Sequence, residues 1–235
     1  MTIGIVIPFY KNKKQLDKCK SAIKKTEYKD LAISIQDNSK ENLGFTKAVN
    51  NGIIDLWTSV EKYFIILNQD CYLAKDSIAN MVKFMDEHPN CAIGGIKQIS
   101  DSNKDFIIHG GCSEAFPAGR HVSGSVKRGD CAESKQMPWV NGACMIVSKE
   151  HIKRIGLMDE NFFLIGSDSD WSYTARDRGL EVWYIADAEC IHESGESSKP
   201  SSEKIENIMK LDIVHWRDKW ITDCNYKELS KEIFT

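Results

Sequence analysis

Short apolar runs alternate along the chain with stretches in which apolar residues recur at helical spacing. Ile3 to Ile7 reads as a short buried strand closed by Pro8. From Lys13 to Lys25, Leu16, Cys19 and Ile23 fall on one helical stripe among lysines. Ala32 to Gln36 is a second strand, which ends at Asp37-Asn38-Ser39. Asn42-Leu43-Gly44-Phe45 is a turn, and Phe45 to about Ser59 a second helix. Tyr63 to Leu67 is a run of β-formers that ends at Asn68-Gln69-Asp70. Asp76-Ser77 opens a third helix to about Glu87, with Pro89 beyond its end, and Cys91 to Lys97 is another strand. Strands and helices that alternate in this way predict a parallel, right-handed, doubly wound α/β sheet.

The rhythm changes after about residue 98. Residues 100 to 137 are rich in glycine, serine and charge, the length of a functional excursion rather than a connection. Trp139 to Val147 then returns to strand. Ser148 caps a short helix that Gly156 ends, and a helix from about Asp168 to Arg178 is ended by Gly179. Leu180 to Ile185 is a strand. Ser202 to Trp220 reads as helix, with Ile205, Ile208, Met209, Asp212, Trp216 and Trp220 on a stripe that packs on the body.

Composition sets the class. The 235 residues are 42% hydrophobic and 28% charged, enough for one large domain or two lobes that share a sheet. The net charge of -3 offers no polyanion-binding surface at the level of the whole chain, which excludes nucleic acid as an expected partner. Eight cysteines are scattered without a C-x-x-C pair, several inside apolar runs. They read as buried free thiols of a reducing compartment. The first residues are too short an apolar run for a signal peptide, and no run approaches a membrane span, so a cytoplasmic protein is expected. Peripheral membrane contact and a homodimer stay open.

Three strands end in polar or aromatic groups: Pro8-Phe9-Tyr10, Asp37-Asn38-Ser39 and Asn68-Gln69-Asp70. Turn chemistry explains each one singly. In a parallel sheet, however, these ends share one edge, where ligands of open α/β sheets bind. An aromatic there can stack on a base, one carboxylate can accept from a base or ribose, and another can hold a cation at a diphosphate. No glycine-rich phosphate loop of the G-x-G-x-x-G or G-x-x-x-x-G-K-[ST] kind is present, which favours a metal as the neutraliser and Asp70 as its ligand.

The segments IGIVIPFYKN, QDNS, NLGFTKAVNNGI, FIILNQDCYL and the long stretch from Trp139 to Ser198 resemble, in order and spacing, the family 2 glycosyltransferases. These are inverting enzymes with the GT-A fold, and the chain most resembles their rhamnosyltransferase-like branch, which builds bacterial surface polysaccharides. The resemblance implies a single GT-A catalytic domain over 1-235. Its Rossmann-like, mostly parallel sheet would have a nucleotide-sugar half at 1-98, an acceptor and catalytic half at 99-200 and a helical tail at 201-235. It implies a nucleobase framed by Pro8, Phe9, Tyr10 and Asp37, with Asn38 beside it. Asn42, Gly44 and Asn50 would lie along the nucleotide. The family's D-x-D appears as Asn68-x-Asp70, with Asp70 as metal ligand and Asn68 as a polar contact to sugar or ribose. Ser167-Asp168-Ser169-Asp170 matches the family's Glu-Asp-x-Asp with serine in the glutamate position. Asp168 is then the general base, and Asp170 ranks below it because Ser167-x-x-Asp170 also spells a helix capping box. His192 matches a histidine that reaches the metal or diphosphate, and Ser197 and Ser198 match the polar end of that motif. Trp139, Asn141 and Gly142 resemble the floor of the acceptor side, with Trp139 either stacked on a sugar or a core aromatic, and Gly142 admitting a sugar closely. His109, Gly110, Gly111, Arg120 and His121 lie in the excursion, as sugar-lining or solvated residues.

The reading that follows is Mn2+- or Mg2+-dependent inverting transfer of a sugar from a UDP- or dTDP-sugar to a glycan or glycolipid. Ser167 is the one feature that favours a nucleotide-sugar-binding protein without turnover. A nucleotidyltransferase would need a basic, glycine-rich loop after the first strand, and PFYKNKK has no glycine.

Overall fold

The computed structural model describes residues 1–112, 126–193 and 203–222. Strand β1 (Ile3–Phe9) is an inner strand of the sheet: Ile3, Ile5 and Ile7 enter the core on one face and Val6 on the other, all fully buried. Helix α1 (Lys13–Lys25) starts where the Asn12 side chain accepts from the Gln15 N–H at 3.3 Å, and it buries Leu16, Cys19 and Ile23 on the first face. Strand β2 (Leu31–Asp37) lies parallel to β1, and α2 (Gly44–Leu56) covers the second face with Val49 and Ile53. Strand β3 (Tyr63–Leu67) is buried at every residue. It runs through Asp70 into β4 (Cys71–Leu73), then α3 (Ser77–Glu87) and β5 (Cys91–Ser100).

The excursion after residue 98 is more structured than its composition predicts. It contains β6 (Ile107–His109), a 3-10 turn (Arg128–Cys131) and β7 (Lys135–Gln136). Strand β8 (Cys144–Ser148) follows, then α4 (Lys149–Ile155), α5 (Ser167–Asp177), β9 (Glu181–His192) and α6 (Glu203–Arg217), which continues as a π-helical turn, Asp218–Thr222. The cap at Ser148 is present, with its hydroxyl accepting from His151 N–H, and Gly156 and Gly179 follow their helices at positive φ.

The sheet order is β2-β1-β3-β8-β5-β9-β4, with β6 on β5 and β7 on β9. Strands β1, β2, β3, β5 and β9 run parallel, as expected, but β8 enters antiparallel between β3 and β5, and β4, β6 and β7 also pair antiparallel. The excursion brings the chain back in at the carboxyl end of β3 and β5, the end at which β5 leaves, so that strand runs the other way. Gly94 and Gly95 of β5 admit side chains that pack across it: a Cβ on Gly94 would stand 2.5 Å from Ile185 Cδ1 of β9, and one on Gly95 2.5 Å from Val140 Cβ.

Three further expectations change. The predicted strand from Trp139 begins only at Cys144, because residues 141–143 form a turn against α5. Strand β9 runs seven residues past Ile185, to His192, paired with β5 and then with β4. The Ser167 capping box does not form: α5 is entered through Gly166 in the left-handed region, and Ser167 is inside the helix. The seven described cysteines, 19, 71, 91, 112, 131, 144 and 190, are buried free thiols. No helix among the described residues is long and apolar enough to cross a membrane.

Candidate active site

The carboxyl ends of β2, β1 and β3 are tied into one edge by amides. Phe9 pairs with Asp37, and Asn38 donates its N–H to Phe9 O at 2.8 Å and its side-chain amide to Gly44 O at 3.0 Å. Gln69 accepts from Tyr10 N–H at 2.7 Å and donates to Tyr10 O at 3.3 Å, so it clamps the β1 end to the β3 end. At this edge Pro8 and Phe9 are half-buried, Tyr10 is exposed, and Asp37 is exposed. The Asp37 carboxylate accepts from Ser39 N–H, and hydrogen bonding from Ser39 holds its pKa below the ordinary carboxylate value. Asn68 is half-buried, one residue beyond β3, and its N–H bonds Ala143 O at 2.8 Å.

Asp70 is buried and stands 3.5 Å from His192 Nε2, which β9 delivers through the Cys71–His192 register pair. Burial opposes a charge on this imidazole, but the Asp70 hydrogen bond and charge outweigh it and raise the His192 pKa above its usual value. The tautomer follows from the bonds around it. Ala143 N–H donates to Asn141 Oδ1 at 2.9 Å, so that oxygen must be the acceptor. Gln98 Nε2 donates to the same oxygen at 3.1 Å, which turns Gln98 Oε1 toward His192 Nδ1 at 2.8 Å. Nδ1 therefore carries a hydrogen, and Nε2, facing Asp70, is the nitrogen free to ligate.

Asp70, His192 and Cys71 bring their ligand atoms within 4.8 Å of one another. A carboxylate oxygen and an imidazole nitrogen suit a divalent ion such as Mn2+, and an oriented second shell is what such ligands need. Cys71 fits less well: it is fully buried, and burial first, then its bond with the Cys190 thiol, pushes its pKa well above the ordinary thiol value.

Asp168, at the first turn of α5, is half-buried. Its Oδ2 accepts from Gly142 N–H at 2.8 Å and its Oδ1 from Ser169 N–H at 2.8 Å. Gly142 is needed here for a different reason than expected: a Cβ would meet Asp168 Cβ and Phe45 Cζ, each at 3.1 Å, so the glycine admits the carboxylate rather than a sugar. Asn141 likewise acts through Gln98 on His192. Trp139 takes the core reading of its two. It is 3% exposed and packs in a cluster with Cys112, Phe162, Tyr173, Trp216 and Trp220, so no face is available for a sugar ring.

Asn50 is not at the crevice. It is 2% exposed, and its amide accepts from Met158 N–H and donates to Met158 O and Glu160, which fixes the start of the loop into α5. Asn42 accepts from Gly44 N–H at 3.1 Å, and Gly44 must be glycine: its φ is +84°, and a Cβ would lie 2.5 Å from Phe163 O. Asp170 is buried, bonded to Trp220 Nε1 at 2.7 Å and to Lys219 Nζ at 2.8 Å, an anchor for the tail rather than a group open to substrate. His109 is buried, not solvated, and its Nε2 is 3.5 Å from Asn141 N. Arg120, His121, Ser197 and Ser198 lie outside the described residues. Gln69 and Gln98 had no sequence signal beyond an amide near a strand end, yet both organise the site.

The sequence profile described as "Glycosyltransferase like family 2" matches residues 27–205, more than half of the chain. Among curated proteins, none matches the chain. Solved structures share its fold at low identity. A mannosyltransferase from Pyrobaculum calidifontis in complex with GDP-Man and Mn2+ is 14% identical with a TM-score of 0.65, over 98% of this chain and 67% of that one. GalNAc-T7 with UDP, GalNAc and Mn2+ is 15% identical with a TM-score of 0.60, over 90% of this chain and 47% of that one. Staphylococcus aureus TarS 1-349 with UDP-GlcNAc is 15% identical with a TM-score of 0.60, over 91% and 66%. The chain thus spans about half the length of GalNAc-T7 and two thirds of the other two. With that profile match and the mixed sheet of the GT-A glycosyltransferases, the chain belongs to the glycosyltransferase family 2-like proteins.

Proposed function

We propose that this chain is a metal-dependent, inverting glycosyltransferase. It moves a sugar from a nucleoside diphosphate donor to a hydroxyl of a glycan or glycolipid, in polysaccharide or glycoconjugate synthesis. The observation that carries the reading is the Asp70–His192 pair with its nitrogen oriented through Gln98, across the Ala143 turn from Asp168. Asp37, Tyr10 and Phe9 would take the nucleoside, with a pyrimidine donor of the UDP or dTDP kind and a rhamnosyltransferase-like product as the finer expectation. Asp70 and His192 would hold Mn2+ or Mg2+, which when bound neutralises charge on the leaving diphosphate. Asp168 takes the proton from the acceptor hydroxyl. The hydroxyl oxygen forms the new bond to the anomeric carbon as the bond to the diphosphate oxygen breaks, on the opposite face. One displacement inverts that carbon.

Ser167 supports the alternative, donor binding without turnover, because it is 1% exposed and cannot replace a glutamate base. Thermal unfolding with UDP, dTDP, GDP and CMP, with and without Mn2+, tests the site. Stabilisation by a nucleoside diphosphate should require Mn2+ and vanish in Asp70→Ala. No shift with any nucleotide would remove the donor-site reading. A shift without glycoside formation from the matching nucleotide sugar, across an acceptor panel, would favour the binding protein.

A further inference from the structure

We propose that the α1 side of the molecule docks on an anionic lipid bilayer. Lys11, Lys13, Lys14, Lys18, Lys20, Lys24, Lys25 and Lys29 are all exposed. Only Asp17, Glu27 and Asp30 oppose them between residues 11 and 30, so this stretch is net +5. The whole chain is net -3, which leaves -8 for the rest. Two of the three acids are already engaged: Glu27 with Lys75 at 2.9 Å, and Asp30 with the N-terminal ammonium at 3.2 Å and the Thr2 hydroxyl at 2.9 Å. Asp17 is thus the single acid on the helix itself.

The lysines sit beside exposed apolar residues on the same side of the sheet. Ile33 and Ile35 of β2 are 43% and 36% exposed and pair with Ile5 and Ile7, whose side chains lie in the core beneath α1 with Leu16, Cys19 and Ile23. Side chains of directly paired residues leave the sheet on the same face. β2 is the edge strand, so nothing in the sheet lies beyond it. Helical periodicity puts Lys18 and Lys25 on the flank toward Tyr72 of β4, where an open groove of about 560 Å3 also carries Lys75, with Asp101 at its rim. Lys13, Lys20 and Lys24 fall on the opposite flank, the β2 side. That flank unites three lysines, with Asp17 the one acid beside them on the helix, and two exposed isoleucines, the pairing by which a protein lies on a charged bilayer. With Lys14 and Lys25, the solvent side of α1 carries five exposed lysines besides Lys18, which pairs with Glu193, and four to eight such lysines are what attracts an anionic leaflet. The rest of the chain carries the net negative charge, which favours docking through this stretch. The inference stands apart from the transferase reading and does not rest on it.

Co-sedimentation of the full chain with vesicles tests it. Vesicles of phosphatidylcholine with about 30% phosphatidylglycerol should bind the protein at about 50 mM salt and release most of it at about 500 mM, while pure phosphatidylcholine should not bind it. Lys13→Glu with Lys20→Glu and Lys24→Glu should lower the bound fraction about tenfold or more, with the melting temperature unchanged. Ile33→Ser with Ile35→Ser should lower it less and remove what survives high salt. Equal binding to neutral vesicles, no binding to anionic ones, or a triple variant that binds like the wild type would overturn the proposal. So would binding to heparin alone, which marks a soluble polyanion site, or a dimer that the isoleucine variant dissolves, which marks β2 as a subunit interface.

Discussion

Asp168 and Gly142 form a single unit, since the glycine N–H holds the carboxylate and its missing Cβ leaves the space. Asp168→Asn is expected to lower kcat by about 10²- to 10⁴-fold, the usual contribution of a general base. Nucleotide affinity in the presence of Mn2+ should stay near the wild-type value, which calorimetry would check. Loss of both together would place Asp168 in donor binding instead. Gln98→Leu makes a separate prediction. It removes the acceptor that orients His192 Nδ1 and leaves Asn141 Oδ1 with the Ala143 N–H in place of two donors, so the Mn2+ affinity should fall by about 10- to 100-fold with kcat at saturating metal little changed. Asp70 stood out as a carboxylate at a strand end, whereas His192 and Asp168 were singled out by the family resemblance; the fold sets His192 against Asp70 and Asp168 against Gly142. Gln98 was not legible, because an amide inside an apolar strand looks like any buried polar residue until its partners are known. Asn50 failed for the converse reason, and Trp139 took the core reading of its two: both are side chains able to meet a ligand, and packing uses them first.

Among the elements, α6 decides how firmly the base is held. Asp212 accepts from the N–H groups of Phe163, Leu164 and Ile165 at 2.8–2.9 Å, the loop that leads into α5 and also receives α2 through Phe45 N–H. Lys219 then bridges Asp159 and Asp170, both partly or wholly out of water. Lys219→Met should cost about 3 kcal/mol at neutral pH, since removal of one partner strands a buried carboxylate. The pH dependence has a definite sign. Burial raises the Asp170 pKa even with Lys219 present, and loss of the cation raises it further. A carboxyl with a raised folded pKa favours folding only while protonated, so the deficit should shrink as pH falls toward about 4 and be full near neutrality. Chemical denaturation at both pH values would check it; an equal deficit at each would assign the loss to packing of the lysine stem. The tail helix was visible in the stripe of Ile205, Ile208, Met209, Asp212, Trp216 and Trp220, yet its partners were not, because a stripe names the buried face and not what buries it. Strand β8 shows the same limit. Its apolar run was plain, whereas its direction depends on where a long excursion re-enters the sheet.

For the whole molecule, the path of β9 sets the coupling between halves. It runs along β5, turns out of register at Ile96–Lys97, and ends on β4, so His192 meets Asp70 only once both halves of the sheet are formed. A cation held by Asp70 and His192 would therefore cross-link β4 to β9 at the sheet edge, while the strands of the core, already buried on both faces, would gain little. Hydrogen exchange should show this as a local effect. Mn2+ with the preferred nucleoside diphosphate should slow exchange by about tenfold or more at residues 70–73 and 189–193 and leave β1 and β3 near their unliganded rates. Asp70→Ala should abolish the difference while β1 and β3 keep their protection, because its carboxylate serves the edge and not the core. Uniform slowing across all strands would mean that the ligand acts through global stability, and that the β4–β9 edge is rigid before any cation arrives.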